Sequence, residues 1–367
     1  MRKLLTILSL IIVAYSMVAA TNGPGTTGAN YLKIGLGARA AGVGESYTAA
    51  ADDTSAIYWN TAGLSSVRTA RMDFMQLNWL AGISAKTIFG AMPISDKDTL
   101  GAYYMTMGTP KDLETRFSGG DTPQAYDSDF ALQNNKFHSE MSVLNLGYSR
   151  ILSRKLSAGL GLKLINENLA GDQASGLALD AGIIYKDLVP DLKLGVSVQN
   201  LGLKPLRPQE ELPMNIAAGA AYTMQVFNND LNLLTDVKIP NDNDMRFGVG
   251  AEYWLGGMVA GRVGYNTFSQ FSMGVGLSLM GLVADYAYVP MGDLGITHRF
   301  SVGYVFDAPG SKPVKAPETK VENRQNAAEL DFFTTAPRQL GIRQINTNTQ
   351  PVNFTQPTED VLAQFDF

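Results

Sequence analysis

Residues 31–66 read Tyr31-Leu-Lys-Ile-Gly-Leu-Gly-Ala-Arg-Ala-Ala-Gly-Val-Gly-Glu-Ser-Tyr-Thr-Ala-Ala-Ala-Asp-Asp-Thr-Ser-Ala-Ile-Tyr-Trp-Asn-Thr-Ala-Gly-Leu-Ser-Ser66. Gly35, Gly37, Gly42 and Gly44 are the residues here that could cradle a phosphate. Their spacing is not GxGxxG, however, and no apolar strand precedes them in a βαβ unit, which argues against a dinucleotide loop. Glycines in this pattern suit a backbone that passes close to other chain. Asp52 and Asp53 form an adjacent carboxylate pair of the kind used in acid–base work. With no His or Lys partner evident, they are expected in a turn or cap. The chain holds two histidines, His138 and His298, and no cysteine. Thiol catalysis, Cys-ligated zinc, disulfides and a lipidated cysteine are thereby removed. One histidine in a strand, His298, makes no Ser–His motif. No enzyme, metal or cofactor is expected.

The elements that would carry these residues are strands. From about Phe137 to Phe306 the dominant period is two. Leu156, Ala158, Leu160, Leu162 and Leu164 share one face, while Ser157, Gly159, Gly161 and Lys163 share the other. Phe247, Val249, Ala251 and Tyr253 oppose Arg246, Gly248, Gly250 and Glu252 in the same way. One face is continuously apolar and the other carries glycine and charge. A soluble barrel or sandwich would turn the apolar face inward, whereas an outer-membrane barrel turns it to lipid. Tyrosines at strand ends on the apolar face (Tyr148, Tyr185, Tyr253, Tyr265, Tyr288, Tyr304) favour the second, as an interfacial girdle.

Fourteen strands are expected, at 69–80, 84–93, 98–108, 137–151, 154–166, 175–187, 192–199, 212–225, 230–238, 244–254, 258–267, 271–279, 282–290 and 296–306. Their even-numbered connections are short, and the odd-numbered ones include the long loops 109–136, 167–174 and 200–211. Short turns at one end and longer loops at the other characterise outer-membrane barrels. The fold class is therefore all-β, a transmembrane antiparallel barrel of about 14 strands with an N-terminal plug or hatch segment and a disordered C-terminal tail. In strands one to three both faces carry large apolar groups, among them Phe74, Met75, Leu77, Trp79, Tyr103, Tyr104, Met105 and Met107. A plug packed against them or an apolar lumenal pocket for a greasy ligand would explain this, and the two are compatible.

The rest of the chain sets address and boundaries. Met1-Arg2-Lys3, an apolar run from Leu4 to Val18 and Val18-Ala19-Ala20 form the layout of a secretory signal peptide, too short for a membrane anchor. The expected organisation is 1–20 signal peptide, 21–66 plug or hatch segment, 67–307 barrel and 308–367 periplasmic tail. The tail carries Pro309, Pro313, Pro317, Pro337, Pro351 and Pro357 among Thr, Asn and Gln, which marks it as largely disordered. Its aromatic ends, such as Phe365-Asp366-Phe367, are candidate anchors for a periplasmic partner. The net charge of −5 argues against nucleic acid, which needs clustered cations. Outer-membrane lipid is the expected surrounding.

By parity, Lys163, Asp180, Lys193, Asp236, Arg246, Glu252, Arg262, Asp285 and Arg299 all face away from lipid. Asp236, Arg246 with Glu252, and Arg262 lie on consecutive strands, so cross-strand ion pairs are feasible. Such mixed signs fit a wall that binds a plug better than a single-sign selectivity ring. Loop 109–136, with His138 at its base, is the natural docking or entry element.

GLGARAAGVGESYTAAADD followed by AIYWNTAGL resembles the N-terminal signature of the PorV/PorQ family, within the FadL-like outer-membrane superfamily. The resemblance rests on Gly35, Gly37, Ala38-Arg39-Ala40, Gly42, Gly44, Ala51-Asp52-Asp53, Tyr58-Trp59-Asn60 and Ala62-Gly63-Leu64, with Thr61 where the family has proline. It implies one of two roles. PorV-like members are accessory barrels of type IX secretion that dock on a large secretion barrel and escort its cargo. FadL-like members take up hydrophobic small molecules past an N-terminal hatch with lateral release, and on that reading Gly35 to Leu64 form the hatch, with Asn60 and Ala62 at its turn. The sequence favours the secretion role, with hydrophobic transport as the alternative.

Overall fold

Alternation of apolar and small or polar residues gives each strand two unlike faces, and closing the sheet on itself assigns one face to each environment. The structure, a computed structural model, describes residues 23, 25–109, 113–114, 136–137, 139–169 and 171–306. The signal segment 1–20, nearly all of loop 109–136, His138 and the tail 308–367 lie outside the described residues.

Fourteen antiparallel strands form a closed barrel in sequence order. They are β1 Arg71–Asn78, β2 Ser84–Pro93, β3 Asp98–Gly108, β4 Ser139–Ile151, β5 Leu156–Leu169, β6 Asp172–Lys186, β7 Leu192–Lys204, β8 Asn215–Val226, β9 Asn229–Pro240, β10 Arg246–Leu255, β11 Val259–Asn266, β12 Gln270–Leu279, β13 Leu282–Pro290 and β14 Ile296–Val305. The barrel closes through β1 and β14, from Arg71 opposite Val305 to Asn78 opposite His298. A two-residue pairing of 113–114 with 136–137 stands apart from it.

The faces are sorted inside out relative to a soluble protein. On β5 and β12 Leu160 and Val275 are 62% and 57% exposed, whereas inward Lys163 and Glu252 are 0% and 2% exposed. Outward residues of β12 run Phe271, Met273, Val275, Leu277 and Leu279. This matches the nine to eleven residues that a tilted strand needs to cross a bilayer. Tyr148, Tyr185, Tyr253 and Tyr304 flank the apolar belt at the short-turn end, and Tyr265 and Tyr288 at the long-loop end, as interfacial tyrosines do.

Two of the expected long loops are corrected. Strands β5 and β6 continue through most of 167–174, to Leu169 and from Asp172, because the hairpin carries on where polar residues interrupt the apolar alternation. Strand β7 likewise runs beyond 199 to Lys204, so the loop there is 205–214. At Asn200 the β6–β7 register shifts: Leu179 pairs Leu201 and Ala181 pairs Val198. Asn200 sits in the left-handed region (φ 56°), and its N–H donates to the Asp180 side chain at 2.8 Å. This is a bulge whose ladder bond is replaced by a carboxylate.

Residues 25–66 hold four short helical turns: Asn30–Lys33, α1 Ala38–Gly42, α2 Ala56–Trp59 and Thr61–Ser66. They contact inward faces around the whole ring, from β14, where the Ala38 N–H donates to Ser301 at 3.1 Å, to β4, where Ser149 donates to the Ala62 carbonyl at 2.9 Å. Near the long loops Gly28 donates to the Glu211 carbonyl at 2.9 Å, and Lys33 pairs with Asp242. Near the short turns Arg68 donates to the Asp96 carbonyl at 3.0 Å. The segment thus runs from one mouth of the barrel to the other.

Inward glycines of the wall make room for it. A Cβ on Gly264 would enter the backbone of Val43 and Gly44, and Gly44 itself adopts φ 68°. On the same strand Gly261 faces outward with open space. Gly264→Ala is therefore expected to destabilise the folded barrel by about 1–3 kcal/mol, and Gly261→Ala to change stability by less than about 0.5 kcal/mol. Urea unfolding in detergent micelles compares them. Equal effects would contradict this packing.

Candidate functional site

The contacts between segment 25–66 and the wall converge on Glu252 of β10. Its carboxylate accepts from both sides of Arg39, Nε at 2.8 Å and Nη2 at 2.9 Å, and from Nε of Arg262 at 2.7 Å. Arg262, directly opposite on β11, reaches on to Asp285 of β13 at 2.7 Å. Arg39 also donates to Asp52 at 2.6 Å. The result is a chain of alternating charge, from the turn at Asp52 through α1 into three strands. Buried fork-shaped contacts of this kind hold geometry tightly because each guanidinium has fixed donor directions.

Asp53 turns the next corner. It accepts from the Ser55 N–H at 2.9 Å, the Ser55 hydroxyl at 2.6 Å and the Tyr47 hydroxyl at 2.8 Å. Burial alone would raise its carboxyl, but the guanidinium groups of Arg39 and Arg71 and these donors bring it below the ordinary carboxylate range. The expected cap role is joined by an ionic one: Arg39 supplies the near cation to both carboxylates, and Lys193, a partner the sequence did not reveal, lies 4.0 Å from Asp52.

Other lumenal side chains satisfy the segment's irregular backbone. Asp236 of β9 accepts from the Tyr47 and Thr48 N–H groups, both at 3.0 Å, and from the Thr48 hydroxyl at 2.6 Å. Ser272 of β12 accepts from the Gly44 N–H at 3.1 Å. Arg299 of β14 donates to the Gly35 carbonyl at 2.8 Å and to Glu45 at 3.0 Å. Asn60 donates to the Thr48 and Ile183 carbonyls at 2.9 and 3.2 Å while its own oxygen takes the Ala62 N–H at 3.2 Å. Each removes a buried backbone group that would otherwise stay unpaired.

The other motif residues are close-approach positions. A Cβ on Gly35 would lie 2.7 Å from the Trp59 ring, on Gly42 3.1 Å from the Gly274 backbone, and on Gly63 against the Ala51 carbonyl. Gly37 donates its N–H to the Met75 sulfur at 2.9 Å.

Not every charge on the inner face joins one network. Glu252, Arg262 and Asp285 come together, whereas Asp236 binds backbone and Arg299 pairs with Glu45. Arg246 lies over the Phe268 ring, 4.3 Å from its centre. The sequence reading missed Glu45 and Lys238. Lys238 donates to the Glu45 carbonyl at 2.7 Å and sits 4.5 Å over the Trp59 ring. Parity from Asp236 would have placed Lys238 inward. Nothing local marks Glu45, whose position depends on how the segment folds and on a left-handed φ of 58°.

A separate apolar surface lines the other half. Met75, Leu77, Phe89, Tyr103, Met105 and Met107 of β1–β3 are buried against Leu32, Leu36, Ile57 and Leu64 of the segment. Toward the long-loop mouth the same cluster ends in partly buried Ile34, Trp79, Ile83 and Met141.

No protein-family model matches the chain, and no curated protein matches it in sequence. Among solved structures it superposes on the CymD monoaromatic hydrocarbon channel with a TM-score of 0.52 at 12% identity, covering 75% of this chain and 98% of that one. It also superposes on a deltaS2S3 mutant of the TodX monoaromatic hydrocarbon channel, with a TM-score of 0.51 at 13% identity, covering 74% and 99%. At such identity the likeness is one of fold. The fold is that of outer-membrane β-barrels.

Removing the Glu252 charge leaves Arg39 and Arg262 without the carboxylate they share, with Asp52 and Asp285 as their remaining close partners. Glu252→Gln is expected to cost about 3–5 kcal/mol and to expose 28–66 to limited proteolysis, whereas Asp98→Asn, at an exposed surface pair, is expected to cost under about 1 kcal/mol. Asp53, whose folded-state value is depressed, contributes stability above the ordinary carboxylate pKa of about 4 that is lost only as pH falls through its lower value. Protease protection of the segment is therefore expected to persist through pH 5 and fail in stronger acid. Loss of protection already at pH 6 would contradict this.

Proposed function

We propose that the protein is an outer-membrane channel of the FadL-like kind for hydrophobic small molecules, with residues 21–66 as its plug or hatch. The observation that carries this reading is the apolar inner wall of β1–β3, continuous with the partly open apolar residues of the long-loop mouth. A water-filled pore keeps a polar lumen, and methionine and aromatic side chains there serve only an apolar guest or an apolar packing partner. Here they pack on the segment, so a solute following the same surface has to displace it. The fold shared with CymD and TodX, both named as monoaromatic hydrocarbon channels, supports the same direction.

The competing reading is a docking barrel for secretion, PorV-like, with a large secretion barrel, its cargo and a periplasmic partner for the tail. Free lumenal charges and a docking tail would favour it. The charges bind the barrel's own N-terminal segment, and the tail lies outside the described residues. The motif resemblance to PorV/PorQ remains its basis, and the transport reading is preferred.

The chain has no cysteine, so a tether is easily introduced. Leu64→Cys with Gly101→Cys would join the segment to β3, where the Leu64 side chain lies directly against Gly101. Cells making the unaltered barrel are expected to take up toluene several-fold faster than cells without it. The oxidised double variant is expected to lose that gain and reduction to restore it. Uptake equal to that of barrel-free cells, or unaffected by the tether, would contradict a displaceable plug.

A further inference from the structure

Lys238 and Arg246 are direct cross-strand partners on β9 and β10. Like charges in that position repel and destabilise a sheet, so their pairing calls for a compensating anion. The protein supplies it only in part. Glu45 gives Lys238 a carbonyl at 2.7 Å and a carboxylate no nearer than 3.9 Å, and its closer ionic contact, 3.0 Å, is with Arg299. Asp236 is turned to the Tyr47 and Thr48 amides. Asp242 holds Lys33. Among the described residues no carboxylate lies within 4.0 Å of Arg246.

Both cations line one chamber at the long-loop mouth, with Trp59 behind Lys238 and Phe268 beneath Arg246. Lys33, Glu45, Asn200 and Asn266 add charged and polar side chains to its lining, beside apolar Leu32 and Tyr58. Its volume is about 50 Å3. One water needs about 10–15 Å3 on this scale, so the chamber seats a group of a few heavy atoms. Aromatic faces hold the two cations in place without neutralising them, leaving their N–H donors available to a charged acceptor.

We propose that this chamber binds a small oxyanion, the carboxylate or phosphate of a solute, either free or as the headgroup of an amphiphile. It bridges Lys238 and Arg246 at the joint between strands and N-terminal segment. Binding here does not depend on the transport reading, because the test below measures occupancy alone.

Trp59 is a built-in reporter once the other two tryptophans are removed, in a Trp79→Phe, Trp254→Phe background. The full-length barrel in non-ionic detergent at constant ionic strength is titrated with inorganic phosphate, acetate, octanoate and, as the uncharged counterpart, octanol. Equilibrium dialysis with labelled phosphate and octanoate gives a second readout that does not rely on Trp59. A saturable response is expected for at least one anion, weakened at least tenfold by Arg246→Gln and recovered in part by Arg246→Lys, with folding of each variant verified by heat-modifiable gel migration. Saturation by phosphate or acetate identifies a free anion as sufficient, and saturation by octanoate alone identifies an amphiphile headgroup. Equal binding of octanol and octanoate, or no saturable binding of any anion by either readout, would overturn the proposal.

Discussion

Everything in this molecule depends on Glu252 being shared by two arginines, one on the barrel wall and one on the segment inside it. Arg262 alone would be a cation on an inner wall opposite a carboxylate, an ordinary cross-strand pair. Arg39 entering the same carboxylate ties residues 25–66 to three strands at once. The segment has almost no regular structure of its own, so its backbone groups must find partners on the wall. Asp236, Ser272, Ser301 and Arg299 are those partners. A barrel with a charged, glycine-lined interior and a segment with an unpaired backbone complete one another, and neither surface would be satisfied alone.

The two halves of the interior differ in kind. Strands β9–β14 hold the segment by charge and hydrogen bonding, which is directional and specific. Strands β1–β3 hold it chiefly by apolar contact, beside hydrogen bonds from Thr54 to Asp73 and from Gly37 to Met75 on β1, and an apolar guest can replace apolar contact at little cost because dispersion and burial are non-directional. Such an asymmetry suits a segment that stays attached along one side while yielding along the other. The register of the wall is continuous between all neighbouring strands except β6 and β7, where it shifts once between Leu177 and Ala178 and again at the Asp180 and Asn200 bulge. That bulge is filled by Lys163, which contacts both residues and seals it with paired polar groups.

The barrel was legible in the sequence because strand alternation is a local signal. The eleven strands from Phe137 onward can be placed from period two, and the inward set from Lys163 to Arg299 follows from parity without knowing any register. What failed was local too. The run at 167–174 looked like a loop because Glu167, Asn168, Gly171, Asp172 and Gln173 break the apolar alternation, although most of it is hairpin. The bulge at Asn200 ended the alternation early and hid the last residues of β7. Inside the barrel, legibility fell off with distance in sequence. The Glu252–Arg262 pair could be anticipated from neighbouring strands, but Arg39, 213 residues away, could not be assigned a partner. Glu45 carried no pattern at all, since its neighbours Lys238 and Arg299 are brought to it only by closure of the ring.

The most direct test of a lumen filled by a displaceable segment is hydrogen–deuterium exchange of the full-length barrel in detergent, followed on peptides from 28–66 with and without toluene. A displaceable plug predicts slow exchange throughout this segment in the unliganded protein. With toluene, exchange should accelerate from Ile57 to Leu64, the stretch whose apolar side chains join the β1–β3 cluster, and stay unchanged in the barrel strands. Fast exchange of the segment before any solute is added would contradict a filled lumen, and slow exchange that toluene leaves untouched would contradict displacement.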